Sequence, residues 1–183
     1  MSKKQTSNHP RASAHELLWA PWRMEFIRSI EDSGCFLCRA VQEDRDEENL
    51  VVARGESCFC ILNRYPYNNG HLLVAPNRHR GTLNQLSTKE MQEIMLMIRQ
   101  AQKALSDVVH PHGFNMGANL GRCAGAGLPG HFHMHLVPRW NGDTNFMPVL
   151  ANTKVIPQSL SELHAMLAER MQELATRNTR SRR

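Results

Sequence analysis

The chain has 183 residues, of which 41% are hydrophobic and 21% charged, and its formal net charge is +5 at pH 7. No apolar run approaches the roughly 18 residues of a membrane helix, and the polar start lacks the apolar stretch of a secretion signal. The five cysteines, an odd number, do not suggest a disulfide framework. We therefore expect a cytoplasmic protein without a membrane partner. The basic residues gather at the two ends without interleaved aromatics, which excludes nucleic acid as the favoured partner but would suit a polyanionic small substrate.

The N-terminal part contains a mobile tail, an apolar segment and a cysteine pair. We expect a disordered tail over residues 1–14 and one domain over residues 15–175, in which the segment 16–27 is apolar enough to pack. The pair Cys35 and Cys38, in "CFLC", could be a redox pair, half of a zinc site or a coincidence. The redox interpretation requires a thioredoxin-like strand-to-helix pattern, which the sequence lacks. The acidic run 43–49 then predicts a solvated loop.

Three short strands and one long helix follow in the sequence. The stretches 50–54, 58–63 and 71–76 are typical of strands, and "RYPYNNG" between the last two has the residues of a turn. The next segment, up to residue 109, predicts a helix that begins with a capping box formed by Ser87 and Glu90. Its apolar residues recur at helical intervals and are expected to fill the core: Met91, Ile94, Met95, Ile98 and Leu105.

The remaining sequence predicts two further strands and a C-terminal helix. "GFNMGANL" predicts a strand, a loop rich in small residues follows, and the histidine-rich stretch is the last strand. A second helix begins near residues 157–159 with Ser159 and Glu162. The expected buried stripe of this helix is Leu160, Leu163, Leu167, Met171 and Leu174. Residues 176–183 are expected to form a basic disordered tail. The order of these elements indicates an α+β domain with an antiparallel sheet.

Three histidines alternate in "GHFHMHLVPRW", residues 130–140. On a strand, His131, His133 and His135 would share one face, with apolar residues turned to the core. A solvent-facing row of polar groups explains them poorly, since other polar residues would serve as well. Two functional interpretations remain from the residues: a catalytic zinc held by several imidazoles, or nucleophilic attack on phosphorus by one imidazole. The glycine-rich "AGAGLPG" before the strand favours the second, because its backbone N–H groups can approach a phosphate.

The stretch "HFHMHLVPRW" resembles the signature of the histidine triad (HIT) superfamily, and "LNRYPYNNGHLLVAPNRHRGTL" resembles the segment that precedes it in that family. The similarity spans roughly residues 35 to 140. The segment after the triad further resembles the bacterial branch of diadenosine tetraphosphate phosphorylases and hydrolases. The resemblance implies a HIT-like α+β fold, with an antiparallel sheet of about five strands, one main helix and a C-terminal helix.

The resemblance also implies roles for individual residues. His133 would be the nucleophile that carries a covalent nucleotide, His135 would contact the phosphate and assist the leaving group, and His71 would be a fourth histidine beside the phosphates. Asn63 would bind the ribose, and Asn119 is a candidate polar contact on the next strand. Family members often place a polar side chain shortly before the triad, where this chain has Gly127 and Leu128. Contact with the nucleotide there would come from backbone amides such as that of Gly127.

In family members that carry the cysteine pair, the remaining zinc ligands are two histidines. The implied structural zinc site in this chain is Cys35, Cys38, His79 and His131. The resemblance also implies a homodimer and a substrate such as a dinucleoside polyphosphate or a related nucleotide conjugate, cleaved with water or phosphate as acceptor. Two alternatives are a nucleotide-binding sensor or interaction module with negligible turnover and a hydrolase whose zinc is held by the histidines. Cys123, in the glycine loop, has no assigned role.

Overall fold

A single antiparallel sheet organises the domain in the computed structural model, which describes residues 34–143 and 158–180. Its strands are β1 (Val51–Arg54), β2 (Cys58–Leu62), β3 (Leu72–Pro76), β4 (Gly113–Gly117) and β5 (Met134–Arg139). They lie in the order β1-β2-β3-β5-β4. The central strands β2 and β3 are buried along their whole length, as expected for apolar runs covered on both faces. The predictions for residues 1–14, 16–27 and 181–183 concern parts outside the described residues.

A short helix, α1, spans Phe36–Gln42 before the sheet begins, and a shorter one, α2, covers Asp46–Asn49. Helix α2 lies in the acidic run, so the prediction of a loop there is wrong over these four residues. Three acidic residues stand in its first turn, where they suit the helix dipole. Asp46 also accepts hydrogen bonds from Arg54 on β1, a tertiary contact that holds this turn against the sheet.

The longest helix, α3, spans Thr88–Val109 and packs on β2 and β3. It begins with the predicted capping box, in which Ser87 and Glu90 bond each other's backbone N–H groups. Ile94, Ile98 and Leu105 are buried as predicted. The expectation that Met91 and Met95 fill the core is wrong, since these side chains are 39% and 50% exposed. The buried stripe is instead Ile94, Met97, Ile98, Ala101, Ala104 and Leu105, which turns the two methionines about a quarter-turn or more away.

The C-terminal helix, α4, spans Leu160–Arg180 and packs against α3 and β1. Its predicted stripe is confirmed at Leu163, Leu167 and Met171, which are buried, and Ser159 accepts a hydrogen bond from the N–H of Glu162. The helix runs through Arg180, so the prediction of a disordered tail is wrong for residues 176–180. None of the helices among the described residues is long and apolar enough to cross a membrane. The α+β architecture, with five antiparallel strands, a main helix and a C-terminal helix, matches the expectation.

Candidate active site and metal centre

A buried histidine and a partly buried one meet where β3 and β5 lie side by side. His71 immediately precedes β3, and His135 lies on β5 opposite Leu73. The Nε2 atom of His71, which is fully buried, lies 2.9 Å from the Nδ1 atom of His135. Strand β4 borders the same position from the other side, because Gly117 pairs with His135. The sheet order therefore brings together two histidines that are far apart in the sequence.

The proton on each of these imidazoles can be placed from the neighbouring donors. The backbone N–H of Tyr67 donates to Nδ1 of His71 over 3.0 Å. The amide of Asn63 lies 3.2 Å from the same nitrogen and must present its NH₂ group, since its Oδ1 accepts from the N–H of Tyr65. In the neutral His71 ring the proton therefore lies on Nε2 and is donated to His135. The neutral His135 ring then carries its own proton on Nε2.

His133 has the environment of a nitrogen nucleophile. Its Nδ1–H donates to the backbone carbonyl of His131 over 2.9 Å, which fixes the tautomer and leaves the Nε2 lone pair for attack. The side chain is 8% exposed, and burial lowers the pKa of His133 below the usual histidine value. The imidazole is therefore neutral, and nucleophilic, at neutral pH. Its ring centroid lies 4.9 Å from that of His135, so one phosphate can contact both rings.

The three triad histidines do not lie on one strand face, contrary to the sequence prediction. Strand β5 begins only at Met134, so His131 and His133 precede it. The N–H of Phe132 donates to the carbonyl of Arg80, in the loop after β3, and this contact replaces the sheet pairing. The Nδ1 atoms of the three rings face different partners: thiols for His131, a backbone carbonyl for His133, and His71 for His135. Three rings arranged in this way do not converge on one catalytic zinc ion.

Four potential metal ligands cluster at the start of α1. The ligand atoms of Cys35, Cys38, His79 and His131 all lie within 4.8 Å of one another. The Nδ1 atom of His131 lies 3.3 Å from the Cys35 sulfur and 3.5 Å from the Cys38 sulfur, and Nδ1 of His79 lies 3.1 Å from the Cys38 sulfur. Two sulfurs and two imidazole nitrogens at such distances suit a closed tetrahedral site. The sequence predicted this set of four, and the fold brings all four together.

The surroundings of this cluster suit a metal better than a redox pair. The Nε2–H of His131 donates to the carbonyl of Pro76 over 2.8 Å, which frees Nδ1 to face the cluster. Cys35 caps the N-terminus of α1, a helix start that the sequence pattern did not reveal. Burial raises the pKa of the Cys35 thiol to about 11, so without a metal this thiol is protonated and unreactive. Cys58 and Cys60 are fully buried in the core.

The loop between β4 and β5 lies beside the site and is held by its own backbone. The N–H of Gly125 donates to the carbonyl of Arg122, and the Asn119 amide donates to the carbonyl of Gly125 over 3.4 Å. Leu128 is buried, so its side chain packs inward, whereas Gly127 is partly exposed. A Cβ atom at Gly81, in the loop after β3, would lie only 2.9 Å from the carbonyl oxygen of Pro129. The glycine therefore allows this loop to lie close to the one between β4 and β5. Nucleotide contacts by Asn63, Asn119 and Gly127 remain predictions.

The turn before β3 holds residues that the sequence interpretation missed. The ring of Tyr67 stacks on His71 with centroids 4.7 Å apart, in addition to the backbone donor described above. The Asn68 amide donates to the carbonyl of Pro138 and to the carboxylate of Asp143, which ties the turn to the end of β5. A hydrogen bond from Arg139 lowers the pKa of Asp143 to about 2, so this carboxylate stays charged. The only sequence signal was the turn chemistry of "RYPYNNG".

Comparison with known families and proteins gives a consistent result. A family model described as the HIT domain matches residues 44–142. The chain is 42% identical over 159 residues to the AP-4-A phosphorylase of Mycobacterium tuberculosis, and the match covers 82% of each chain. It is 32% identical over 93 residues to the asymmetrical bis(5'-nucleosyl)-tetraphosphatase of Schizosaccharomyces pombe, covering 51% of this chain and 50% of that protein.

Solved structures agree on the fold. A zinc-bound histidine triad family protein from Mycobacterium smegmatis superposes with a TM-score of 0.62 at 22% identity, covering 78% of this chain and 96% of that chain. A hypothetical histidine triad nucleotide-binding protein from Sulfolobus tokodaii gives a TM-score of 0.62 at 26% identity, with 76% of this chain and 93% of that chain covered.

Proposed function

The chain belongs to the histidine triad (HIT) family, and from this premise we propose that it is an enzyme that cleaves dinucleoside polyphosphates such as diadenosine tetraphosphate. The reaction proceeds through a nucleotide bound covalently to His133. The observation that carries this proposal is the hydrogen bond from Nδ1 of His133 to the carbonyl of His131, which directs the Nε2 lone pair outward as the nucleophile. The names of two similar proteins, a phosphorylase and a tetraphosphatase, support the substrate class.

The chemical step is an in-line displacement at the α-phosphorus. Nε2 of His133 forms a bond to phosphorus while the bond from phosphorus to the bridging oxygen breaks, and the electron pair of that bond leaves with the nucleoside polyphosphate. The Nε2–H of His135 donates a hydrogen bond to the phosphate oxygens or the bridging oxygen, where negative charge grows in the transition state. An acceptor, water or inorganic phosphate, then attacks the nucleotidyl-histidine and restores His133.

Product analysis tests this function. Purified protein is incubated with diadenosine tetraphosphate with and without inorganic phosphate. Release of ADP and ATP only when phosphate is present identifies a phosphorylase, whereas AMP and ATP without phosphate identify a hydrolase. Nucleotide binding without release of any product under either condition would instead identify a sensor or interaction module, and would contradict the proposed catalysis.

We also propose a structural zinc ion at Cys35, Cys38, His79 and His131. The donor set of two thiols and two imidazoles is one that zinc prefers in structural sites, and its atoms already lie close together. The second hydrogen bond of His131, to the carbonyl of Pro76, orients the ring as is common for zinc-bound histidines. Such an ion supplies cross-linking and no chemistry: it ties helix α1 to the segment that carries His133.

A homodimer is the proposed assembly. Helix α3 exposes Met91, Met95 and Leu96 on its outer face, at 39%, 50% and 44%. An exposed apolar cluster of this kind on a soluble protein commonly marks an interface. Strand β4 is the edge of the sheet, and its Met116 side chain is 53% exposed, so a second copy could extend the sheet there. These two surfaces support pairing through the helix and the edge strand.

A further inference from the structure

The side chain of Asn68 extends the pairing of β3 with β5 beyond its last residues. That pairing ends at Leu72, which lies opposite Leu136. Pro138, two residues further along β5, has no N–H group with which to continue the ladder. Its carbonyl oxygen instead accepts a hydrogen bond from the side-chain amide of Asn68 over 3.1 Å. Because Asn68 is only 9% exposed, this contact is shielded from water and joins β5 to the turn before β3.

Asp143 holds the same amide through a charged network. Its carboxylate, 10% exposed, accepts a hydrogen bond from Nδ2 of Asn68 over 2.8 Å. The carboxylate is itself fixed by the guanidinium of Arg139, over 3.0 Å, and by the backbone N–H of Trp140, over 3.3 Å. Arg139 also donates to Oδ1 of Asn115 on β4, over 2.8 Å. Such charge-assisted hydrogen bonds are roughly twice as strong as neutral ones, so Asn68, Asp143 and Arg139 form a clamp between the turn, β5 and β4.

Asn68 belongs to the turn that places His71. Its backbone carbonyl accepts the N–H of His71 over 3.2 Å, and the preceding residue, Tyr67, donates its own N–H to Nδ1 of His71. The turn is also tightly packed, because a Cβ atom at Gly70, where φ is +73°, would lie 2.9 Å from a methyl carbon of Leu105. A displacement of Asn68 would therefore move Tyr67 and His71 with it.

We infer that Asp143 is a positioning residue for the proposed nucleotidyl transfer and acts through Asn68 on His71. The inference rests on the proposed function, since it concerns where His135 presents its hydrogen bond to the substrate phosphate. Nε2 of His71 lies 2.9 Å from Nδ1 of His135, and the clamp holds together the two chain segments that carry these rings. Misplacement of a catalytic contact by about 1 Å can lower a rate by about 10²-fold, even when the altered residue lies far from the reacting atoms.

Asp143→Asn tests this role at nearly constant side-chain shape. The neutral amide holds Arg139 and Asn68 less strongly, so kcat for diadenosine tetraphosphate should fall by about tenfold to 10²-fold. KM should change by less than about threefold, because the clamp makes no contact with the nucleotide in the proposed mechanism. Asp107→Asn is the matched control, since Asp107 also accepts hydrogen bonds from an arginine, Arg170, but joins α3 to α4.

Asn68→Ala interrupts the same link at its other partner. The amide carries both the contact with Pro138 and the contact with Asp143, so its loss should lower kcat at least as much as Asp143→Asn does. Adding Asp143→Asn to Asn68→Ala should have little further effect, because without the amide the carboxylate no longer holds the turn. Effects that multiply in the double variant would overturn the inference. A wild-type kcat in Asp143→Asn, or an equal loss in Asp107→Asn, would overturn it as well.

The ring nitrogens of His71 and His135 report the placement of the pair independently of turnover. In protein labelled with ¹⁵N-histidine, their signals should shift or broaden in Asp143→Asn and keep their wild-type positions in Asp107→Asn. Unchanged signals in folded Asp143→Asn would overturn the inference. Absence of turnover in wild-type protein would contradict the proposed function instead, so the two failures are distinguishable.

A measurement on wild-type protein remains decisive if neither clamp variant folds. The Asn68 amide donates to two shielded acceptors, so its hydrogens should exchange slowly with solvent. The amide hydrogens of Asn84, on an exposed turn, are the internal reference. Exchange at Asn68 as rapid as at Asn84 would show that the clamp does not form and would overturn the inference.

Discussion

The rings of His133 and His135 lie 4.9 Å apart, but their hydrogen-bond partners differ. In the proposed mechanism His133 forms a bond to phosphorus, whereas His135 donates a hydrogen bond that strengthens in the transition state. Loss of the nucleophile should lower kcat by about 10⁴-fold or more, and loss of one such donor by about 10²–10³-fold. We therefore expect His135→Asn to be the milder change with diadenosine tetraphosphate.

Steady-state kinetics and equilibrium nucleotide binding check this prediction. Both variants should bind nucleotide nearly as well as wild type, because each lost interaction acts mainly beyond the ground state. An inactive His135→Asn protein beside a partly active His133→Asn protein would contradict the assignment of roles.

Motif spacing was enough to predict which histidines and cysteines the fold brings together. His71, His133, His135 and the four candidate metal ligands could be proposed from the sequence because the proposed chemistry belongs to their side chains. The roles of Tyr67 and of the Pro76 carbonyl could not be predicted, since they act through backbone atoms whose positions depend on tertiary structure. Backbone donors and acceptors leave no residue-type signal in a sequence.

The proposed zinc ion would tie helix α1 to the segment that carries His133. Cys35→Ala removes one ligand, and we expect less than the wild-type content of about one zinc per chain and a lower thermal unfolding temperature. The activity of the molecules that remain folded should change little, because none of the four metal-ligand side chains takes part in the proposed chemical step. Cys123→Ala, at an exposed cysteine outside the cluster, is the control.

Metal analysis and thermal unfolding of protein purified without added zinc measure both effects. Wild-type protein with less than about a tenth of an equivalent of zinc would contradict the site. A Cys35→Ala protein as stable as the control would contradict its structural role.

The start of helix α3 is fastened to the loop after β3 through Glu90. Its carboxylate, 4% exposed, accepts hydrogen bonds from Arg78 and from the N–H and hydroxyl of Ser87. The hydrogen bond from Arg78 lowers the pKa of Glu90 to about 2 from a usual 4.5. Since the folded-state pKa is the lower one, this stabilisation is complete above about pH 5 and is lost as the pH falls towards 2.

We therefore expect Glu90→Gln to lower the free energy of unfolding by up to about 3 kcal/mol at neutral pH. The difference from wild type should shrink as the pH falls below about 4.5. Urea unfolding at several pH values measures it, with Glu169→Gln on the exposed face of α4 as control. A difference that stays constant or grows towards acid pH would be inconsistent with the assigned interaction.

Apolar periodicity and turn residues predicted the strands and both long helices. They failed where a distant partner decides the local structure. Helix α2 lies inside an acidic run, where Arg54, on the following strand, forms an ion pair with Asp46. The segment 131–133 leaves the sheet because Phe132 bonds to the loop at Arg80. The pattern around Met91 and Met95 was helical, but periodicity alone did not separate the core stripe from the adjacent exposed one.

Among the described residues of the molecule, the exposed apolar face of α3 is a surface that suits a partner subunit. We expect the protein to be a dimer at micromolar concentration and Met95→Glu to shift it towards monomer, because a buried unpaired charge is costly. Sedimentation or light scattering gives the mass. Met166→Glu, at an exposed methionine on α4, should leave the mass unchanged. A monomeric wild-type protein would contradict the proposed assembly.

The fold class and the family followed from the sequence because two ordered motifs span most of the domain. Assembly did not follow in the same way, since it depends on which helix face remains exposed once the core is packed. The structure supplied that face by burying Met97 rather than Met95.

Trapping of the covalent intermediate tests the central claim most directly. Wild-type protein turning over labelled diadenosine tetraphosphate is quenched with alkali, and the adduct is located by peptide mapping kept at high pH. A phosphoramidate is stable in alkali and labile in acid, and the account predicts this behaviour for one nucleotidyl group on His133. A nucleotidyl group on His71 or His135 would contradict it. So would the absence of any adduct together with an activity that disappears reversibly when metal is chelated.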